Sequence, residues 1–394
     1  MTSPRVPSWR SSRLGMAAVL GTFALTAFAE PDSLPAESSR LQISGYLSLV
    51  GGRVWDGVPD VYGTAQMLDA TCPCYIADWG NAGVYGRDFS ITPESRIGLQ
   101  GTYTLTDTAS VTAQIVSRGT DERPTLTWAY ASVKLSDAFE VQAGRKRIPL
   151  YYYSDFQDIG LSYPWITPPP ELYGWEATNY NGASVRYEGN VQGTDVRASL
   201  FAGQEKVDDS LYYELLGYMD GYQGPTTVKW KNLVGADAEF SRGPLVARLV
   251  TMQSDIHIDN TADPDDPWEE QQRLRAHGIA VNLDFDSWFV LSEFTKLTRD
   301  YPQDGYTVSA PAKTIGAGYR WGAWTPFLNY AKFTEESSDI ELYPPTGYKR
   351  TSLTLRYDLR PGNAIKVQWD KNTDITKNYG GDGKVLRIAY DLVF

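Results

Sequence analysis

The stretch Lys384-Val-Leu-Arg-Ile-Ala-Tyr-Asp-Leu-Val-Phe394 alternates between apolar and other side chains along its length. Alternation with a period of two predicts a β-strand that has one apolar face. The opposite face carries two charged side chains, which need water or a partner. The apolar face holds Leu386, Ile388, Tyr390, Leu392 and Phe394, and the other face holds Arg387, Ala389 and Asp391.

The same alternation recurs along the chain in segments of about ten residues, the length that lets a tilted strand cross a bilayer. Charged residues lie opposite the apolar face in almost every segment, and no further segments remain to cover the apolar faces. Lipid would cover them. The sixteen predicted strands lie near 41–53, 94–105, 110–118, 125–135, 138–146, 178–188, 194–204, 227–240, 244–254, 272–284, 287–298, 311–321, 323–333, 349–359, 363–372 and 384–394.

The connections alternate between short and long. Short turns rich in Gly, Asp and Ser follow every second strand, and long connections follow the others, with 119–124 as the one short exception. Short turns on one side and long loops on the other are typical of outer-membrane barrels, and closure satisfies every backbone group in lipid. We therefore predict an all-β fold for residues 30–394: a transmembrane antiparallel β-barrel of about 16 strands.

The first 29 residues have the pattern of a cleaved signal peptide. Arg5, Arg10 and Arg13 precede an apolar run that is rich in small residues, and Ala27-Phe28-Ala29 matches a cleavage site. We expect the mature chain to begin at Glu30. The alternative, a membrane anchor, fits less well because the run is short and acidic residues follow it.

Charge and cysteine content narrow the function further. A formal net charge of -12 argues against a nucleic-acid partner. The cysteines, Cys72 and Cys74, flank Pro73. In an exported chain they favour a local disulfide, while free thiols and an incomplete metal site stay open as alternatives. No motif calls for a cofactor.

Two stretches resemble the general, trimeric, 16-stranded porins of Gram-negative outer membranes. The hairpin TLTWAYASVKLSDAFEVQAGRKR at 125–147 is similar to the porin fourth and fifth strands, and the last strand is similar to the signal that barrel-assembly machinery recognises. The resemblance implies that the third outer loop, 146–177, folds inward and narrows the channel. It also implies a homotrimer surrounded by outer-membrane lipid and lipopolysaccharide, which passes small hydrophilic solutes by diffusion. The short 119–124 connection departs from the family's latching loop.

The strand phases and the inserted loop together predict the residues that narrow the pore. We expect loop acids to face basic wall residues across it, as charge rings tune the passage of ions. The alternative is that these charges only solvate the lumen and pair with each other. The predicted constriction residues are Arg96, Arg118, Arg145, Arg147, Asp155, Asp158, Glu171, Arg356 and Arg387.

Other functions stay open at this point. A channel specific for anions or sugars is one, with Tyr151, Tyr152 and Tyr153 as a stacking track or simply as loop packing. A barrel that anchors a surface receptor or adhesin is another. The acidic connection 255–270 is either a solvated loop or a site for divalent cations that bridge lipopolysaccharide. An enzyme is disfavoured, because His257 and His277 near Ser254 lie in no recognised catalytic motif.

Overall fold

The computed structural model describes residues 40–59, 66–220, 224–260, 268–376 and 381–394. The predicted signal peptide, 1–29, lies outside the described residues. Within them the chain forms sixteen long strands. The strands are β1 (Leu41–Val58), β2 (Arg96–Thr106), β3 (Ala109–Arg118), β4 (Thr125–Lys134), β5 (Phe139–Arg147), β6 (Asn179–Val191), β7 (Thr194–Val207), β8 (Thr226–Arg242), β9 (Leu245–Asn260), β10 (Trp268–Phe285), β11 (Trp288–Tyr301), β12 (Tyr306–Tyr319), β13 (Trp324–Thr334), β14 (Gly347–Arg360), β15 (Asn363–Asp374) and β16 (Asp382–Val393).

The sheet closes on itself through its first and last strands. Each strand pairs antiparallel with the next, and β1 pairs with β16 in a register that runs from Tyr46 opposite Val393 to Val58 opposite Asp382. Backbone hydrogen bonds between Gly45 and Phe394 complete the seam, at 2.6 and 2.9 Å. The aromatic ring of Phe394 occupies the space that a Cβ on residue 45 would need, which explains the glycine there. The predicted fold class is confirmed: a closed antiparallel barrel of sixteen strands.

Short turns lie at one end of the barrel, as the sequence predicts. Gly243 and Gly362 take positive φ values of 57° and 89° in these turns, a conformation that costs glycine little. At the other end several strands run beyond the predicted segments. β9, for example, continues to Asn260 and β10 begins at Trp268. The added residues are mostly polar, so apolar periodicity did not reveal them.

Two short α-helices lie in the described parts of the long loops: α1 (Pro170–Tyr173) and α2 (Leu211–Asp220). Two single-turn 3-10 helices, Ser154–Phe156 and Gly160–Ser162, precede α1. The loop after β1 contains two small antiparallel pairs, Gln66–Met67 with Ala70–Thr71 and Tyr75–Asp78 with Gly83–Tyr85. No helix among the described residues has the length and apolar character to traverse a membrane.

The buried core of this protein lies inside the barrel. Residues 148–178, here called the inner loop, fill much of the lumen, while the apolar faces of the strands point outward and stay exposed. Leu99, Leu328 and Leu353, for example, are each more than half exposed, as expected of side chains that face lipid. The predicted inward fold of the third outer loop is therefore confirmed.

Candidate functional site

Aromatic side chains form the centre of the inner loop. The ring of Tyr153 lies 5.5 Å from that of Trp165, and Trp165 contacts Phe327 on β13 at 5.0 Å. The rings of Tyr151 and Tyr173 are also in contact, with centroids 4.5 Å apart. All these side chains are buried. Such pairs add to the stability that comes from burying apolar area, so they hold the inner loop against the wall on the β9–β13 side.

Asp158 fixes the inner loop to the β2–β3 side of the wall. Its carboxylate accepts hydrogen bonds from Arg118 at 2.9 Å and from Arg147, and its backbone carbonyl accepts one from Arg96 at 2.7 Å. Burial alone would raise the pKa of the Asp158 carboxyl. The charges of Arg118, Arg147 and Arg96 outweigh that effect and hold this pKa at about 2.

A second buried contact joins Glu171, in α1, to the wall. Arg350 on β14 lies 2.9 Å from the Glu171 carboxylate, and its guanidinium also contacts the hydroxyl of Tyr75 from the loop after β1. Both charged side chains are almost inaccessible to solvent. A buried pair of this kind is costly to break, because the remaining charge is left without a partner.

Arg387 on β16 belongs to a third buried network. It donates to Glu94 at 2.6 Å and to Asp370 at 2.8 Å, and Glu94 in turn accepts a hydrogen bond from Thr167 of the inner loop. This network is charge-rich and fully covered. It therefore connects the last two strands, the segment before β2 and the inner loop.

Backbone carbonyls of the inner loop receive further cations from the wall. Lys366 donates to the carbonyls of Gly160 and Trp165 at 2.5 and 2.6 Å, and pairs with Asp391 at 2.9 Å. Arg356 donates to the carbonyls of Leu161 and Tyr163 at 2.8 and 3.2 Å. A Cβ on residue 160 would collide with the Asp391 carboxylate. The glycine thus permits this close approach.

The β9–β11 side holds the inner loop in a similar way. Arg248 donates to the carbonyls of Tyr151 and Pro149 at 2.7 and 2.9 Å. Glu293 accepts hydrogen bonds from the Tyr173 hydroxyl at 2.5 Å and the Tyr152 backbone at 2.9 Å. The inner loop is therefore pinned to the wall on opposite sides of the barrel.

Most predicted constriction residues lie in these contacts between loop and wall. Asp158 contacts Arg96, Arg118 and Arg147 directly, so these charges neutralise each other locally. Glu171, Arg356 and Arg387 instead have partners outside the predicted set, which are Arg350, Asp358 with loop carbonyls, and Glu94 with Asp370. Whether they also limit the passage of solutes stays a prediction. The residues placed in this way are Arg96, Arg118, Arg147, Asp158, Glu171, Arg356 and Arg387.

Arg145 and Asp155 lie elsewhere. Arg145 shares a strand face with the outward-facing Ala143, pairs with Glu205 at 2.7 Å and donates to the Leu126 carbonyl. It therefore contacts the barrel wall and not the inner loop, and the pore role expected of it stays a prediction. The register is continuous through Gly144 on both sides of β5, so strand alternation itself places Arg145 on the face of Ala143.

Asp155 is the inner-loop acid that forms no ion pair with any described residue. It is half-buried, and its charge interacts with those of Lys146 and Arg248 on the wall. Arg186 on β6 is also half-buried, and its charge interacts with Lys146 and Tyr180. It has no ion-pair partner in the described part of the chain. Asp155, Lys146 and Arg186 are each partly accessible to solvent on the β5–β9 side of the barrel.

A separate cluster of apolar side chains forms among the long loops, and we call it the mouth cluster. Residues of the loop after β1 pack there against Leu215 of α2. Cys72 and Cys74 belong to it and are joined by a disulfide, which confirms the favoured interpretation of the sequence. The cluster consists of Met67, Cys72, Cys74, Ile76, Trp79, Val84 and Leu215.

The remaining sequence hypotheses find different degrees of support. Tyr151 and Tyr153 are buried in loop packing, and only Tyr152 is half-buried, which favours packing over a stacking track. Ser254 donates to the Lys231 carbonyl, whereas His277 contacts Thr251 on the outward face. No Ser–His contact occurs among the described residues. Part of the acidic connection 255–270, residues 261–267, lies outside them.

Sequence comparisons detect no match. No family model and no curated protein matches the chain. Solved structures do match its fold, each covering about nine-tenths of it. They include the outer membrane channel DcaP of Acinetobacter baumannii (TM-score 0.57, 12% identity, 90% of this chain and 97% of that one) and an anion-selective porin from Comamonas acidovorans (0.54, 14%, 90% and 99%). OmpT, an outer membrane protein of Vibrio cholerae, is similar as well (0.56, 10%, 90% and 97%). At these identities the likeness concerns the fold alone, and the chain is therefore a barrel with a porin-like fold.

Proposed function

We propose that this protein is a passive diffusion channel for small hydrophilic solutes and ions across the outer membrane of a Gram-negative bacterium. The observation that carries the proposal is the set of half-buried charges on the lumen side of β5–β9. They stay partly accessible to solvent, and charges of this kind need water. They include Lys146, Arg186, Arg197, Asp237 and Glu239.

In this proposal solutes pass between Asp155 of the inner loop and the wall cations Lys146, Arg186 and Arg248. Cations and acids are mixed along that side, so the channel selects weakly between ions. Charges set across a narrow passage also orient dipolar solutes. The buried networks on the other sides serve to hold the inner loop, and thus the width of the passage, fixed.

A second candidate is a channel selective for anions. The wall cations nearest to Asp155 favour it, because Lys146 and Arg186 form no ion pair with described residues. One of the similar structures is of a porin whose name states that it is anion-selective. A sugar-specific channel has less support, since most of the tyrosines are buried in packing.

The proposed setting follows from the fold. Apolar outward faces suit lipid, and we propose contact with outer-membrane lipid and lipopolysaccharide and assembly as a homotrimer. No enzymatic role is proposed, because Ser254 donates to the Lys231 carbonyl and His277 contacts Thr251. A surface receptor or adhesin is the remaining alternative, in which the mouth cluster would close the barrel and only anchor the loops.

Swelling of liposomes separates these functions. Vesicles that contain the purified, folded protein are placed in isotonic solutions of neutral sugars of increasing size. A diffusion channel gives swelling rates that fall smoothly as the sugars become larger. A sugar-specific channel would favour one sugar over others of equal size. Absence of swelling with every sugar would contradict a channel and support the receptor alternative.

A further inference from the structure

A row of lysines crosses the outside of the barrel on three consecutive strands. Lys313 on β12 is directly opposite Lys332 on β13, and Lys332 is directly opposite Lys349 on β14. All three lie on the outward strand faces, and Lys313 and Lys349 are exposed. Directly opposed side chains have Cβ atoms about 5 Å apart. The three ammonium groups thus form one compact cationic site, here called the lysine row.

More lysines continue the row on both sides. Lys371 on β15 faces outward and is directly opposite Lys384 on β16. It lies level with Thr351, two residues nearer the membrane centre than Lys349. Lys296 on β11 lies one step further out than Lys313. Lys384 pairs with Asp56, but the lysine row itself has no such neighbour. The positive charge is therefore concentrated on β12–β14.

No described residue forms an ion pair with Lys313, Lys332 or Lys349. Like charges that are directly opposed across strands destabilise a sheet, so a bare lysine row costs stability. Neighbouring strands solve the same problem with acids. The outward-facing pairs there are Lys229 with Asp259, Arg273 with Asp255 and Arg275 with Asp300, at 2.6, 3.4 and 2.9 Å. An anion from outside the chain would neutralise the lysine row as these acids neutralise their partner cations.

The height of the row indicates which anion that is. Below it the outward face is apolar, through Leu328 and Leu353, and ends at the contacting rings of Trp324 and Tyr357 near the short turns. Lys332 follows Trp324 by eight residues along β13. At about 3.3 Å per residue and a tilt near 40°, that is roughly 20 Å, close to the height of the apolar band of such barrels. The lysine row therefore lies at the outer edge of the band, among the lipid headgroups.

We propose that Lys313, Lys332 and Lys349 bind the phosphate groups of a lipopolysaccharide headgroup in the outer leaflet. Each adjacent pair of ammonium groups can donate hydrogen bonds to one phosphate, which neutralises their repulsion. Lysine stems lie along apolar surface and extend their charge to the interface. The proposal rests on the proposed outer-membrane location, but not on the passage of solutes.

Lipid retention tests the site. The full-length mature barrel is reconstituted with lipid A, with dephosphorylated lipid A or with phosphatidylglycerol, and lipid retained after detergent extraction is counted by native mass spectrometry. The wild type should retain lipid A at least tenfold better than its dephosphorylated form, since several charge-assisted contacts are involved. The variant Lys313→Gln/Lys332→Gln/Lys349→Gln should lose that preference while its barrel stays folded, as judged by heat-modifiable mobility.

The matched control is Lys229→Gln/Arg273→Gln/Arg275→Gln, which removes equally outward cations that already have acidic partners. It should retain lipid A like the wild type. Equal lipid A retention by the lysine-row variant would overturn the proposal. Equal retention of lipid A and phosphatidylglycerol by the wild type would also overturn it. The lysines would then attract any anionic lipid without preference. Channel activity enters neither readout, so failure here leaves the proposed function untouched.

Discussion

Arg350 on β14 and Glu171 in the inner loop form an ion pair of 2.9 Å in which neither side chain is open to solvent. The pair connects a wall strand to a segment that has no sheet partner of its own. Together with the contacts of Asp158 and Lys366, it explains how an irregular loop keeps one position inside the barrel. A fixed loop position is what a passage of constant width requires.

Breaking that pair should loosen the inner loop. Arg350→Gln leaves the Glu171 carboxylate buried without its cation, which costs about 3–5 kcal/mol. We expect a lower unfolding temperature and a noisier channel current. The double variant Arg350→Gln/Glu171→Gln should lose less than the sum of the single losses, because neither charge is then left alone. Lys206→Gln, which removes the cation of the exposed Lys206–Asp208 pair, is the control and should change both readouts little. Additive losses would show that the pair does not act as a unit.

Acid should release the inner loop within a defined range. The pKa of the Asp158 carboxyl is lowered to about 2, below its ordinary value of 3.8. The stability that it contributes is present above the unfolded value and is lost as the pH falls through the folded one. Channel current should therefore stay steady from neutral pH to about pH 4 and change between about pH 4 and pH 2.

The variant Asp158→Asn isolates this effect from the other acids. It should show an altered current already at neutral pH and no further step in that acidic range. The pKa of the Glu171 carboxyl is shifted in the opposite direction to that of Asp158. Burial raises it, and the charge of Arg350 offsets part of the rise. A step of equal size in Asp158→Asn would assign the acid response to another group.

Asp155 should influence ion preference without affecting the fold. It forms no ion pair with described residues and lies near wall cations. Removing one charge a few ångströms from a passing ion changes its energy by about 1 kcal/mol in water. Asp155→Asn should thus shift the permeability ratio toward anions by up to roughly fivefold, measured as the reversal potential in a salt gradient. Asp208→Asn, the same change in an outer loop, should leave the ratio unchanged. A shift equal to that of Asp208→Asn would place Asp155 outside the passage.

The disulfide should stabilise the mouth cluster. Cys72 and Cys74 are buried against apolar neighbours from the same loop and α2. Cys72→Ser/Cys74→Ser introduces hydroxyl groups there, and a polar group buried without a partner costs about 1–3 kcal/mol. We expect faster protease cleavage of the loop after β1, with the barrel intact. Cleavage at the wild-type rate would show that the disulfide does not hold this loop.

The sequence predicts the barrel well because a bilayer imposes a simple rule. Every strand needs an apolar face, so alternation and turn residues locate the sixteen strands and place the inner loop after the fifth. The ends of the strands are harder to predict from this rule. Where β9 and β10 extend beyond the apolar band, polar residues such as Asp259 and Glu269 face outward, and no apolar signal marks them.

The site is harder to predict, since its contacts join residues far apart in the chain. Strand phase places Arg356 and Arg387 on the lumen face, but it does not show that Glu94 or loop carbonyls neutralise them. Glu94 precedes β2 without any distinctive pattern. Arg145 lies near the end of β5, and no sequence pattern shows that it pairs with Glu205 on β7. Position in the fold, not residue type, separates charges that anchor the loop from charges left open to water.

Single-channel conductance tests the central claim, that solutes pass beside the inner loop. The wild type and a variant that lacks residues 155–170 are compared in planar lipid bilayers under equal salt. Both should give steady open currents at modest voltage, and the deletion should increase the conductance, because it removes the segment that occupies the lumen. An absence of steady current in the wild type, or equal conductance of the two folded proteins, would contradict the account.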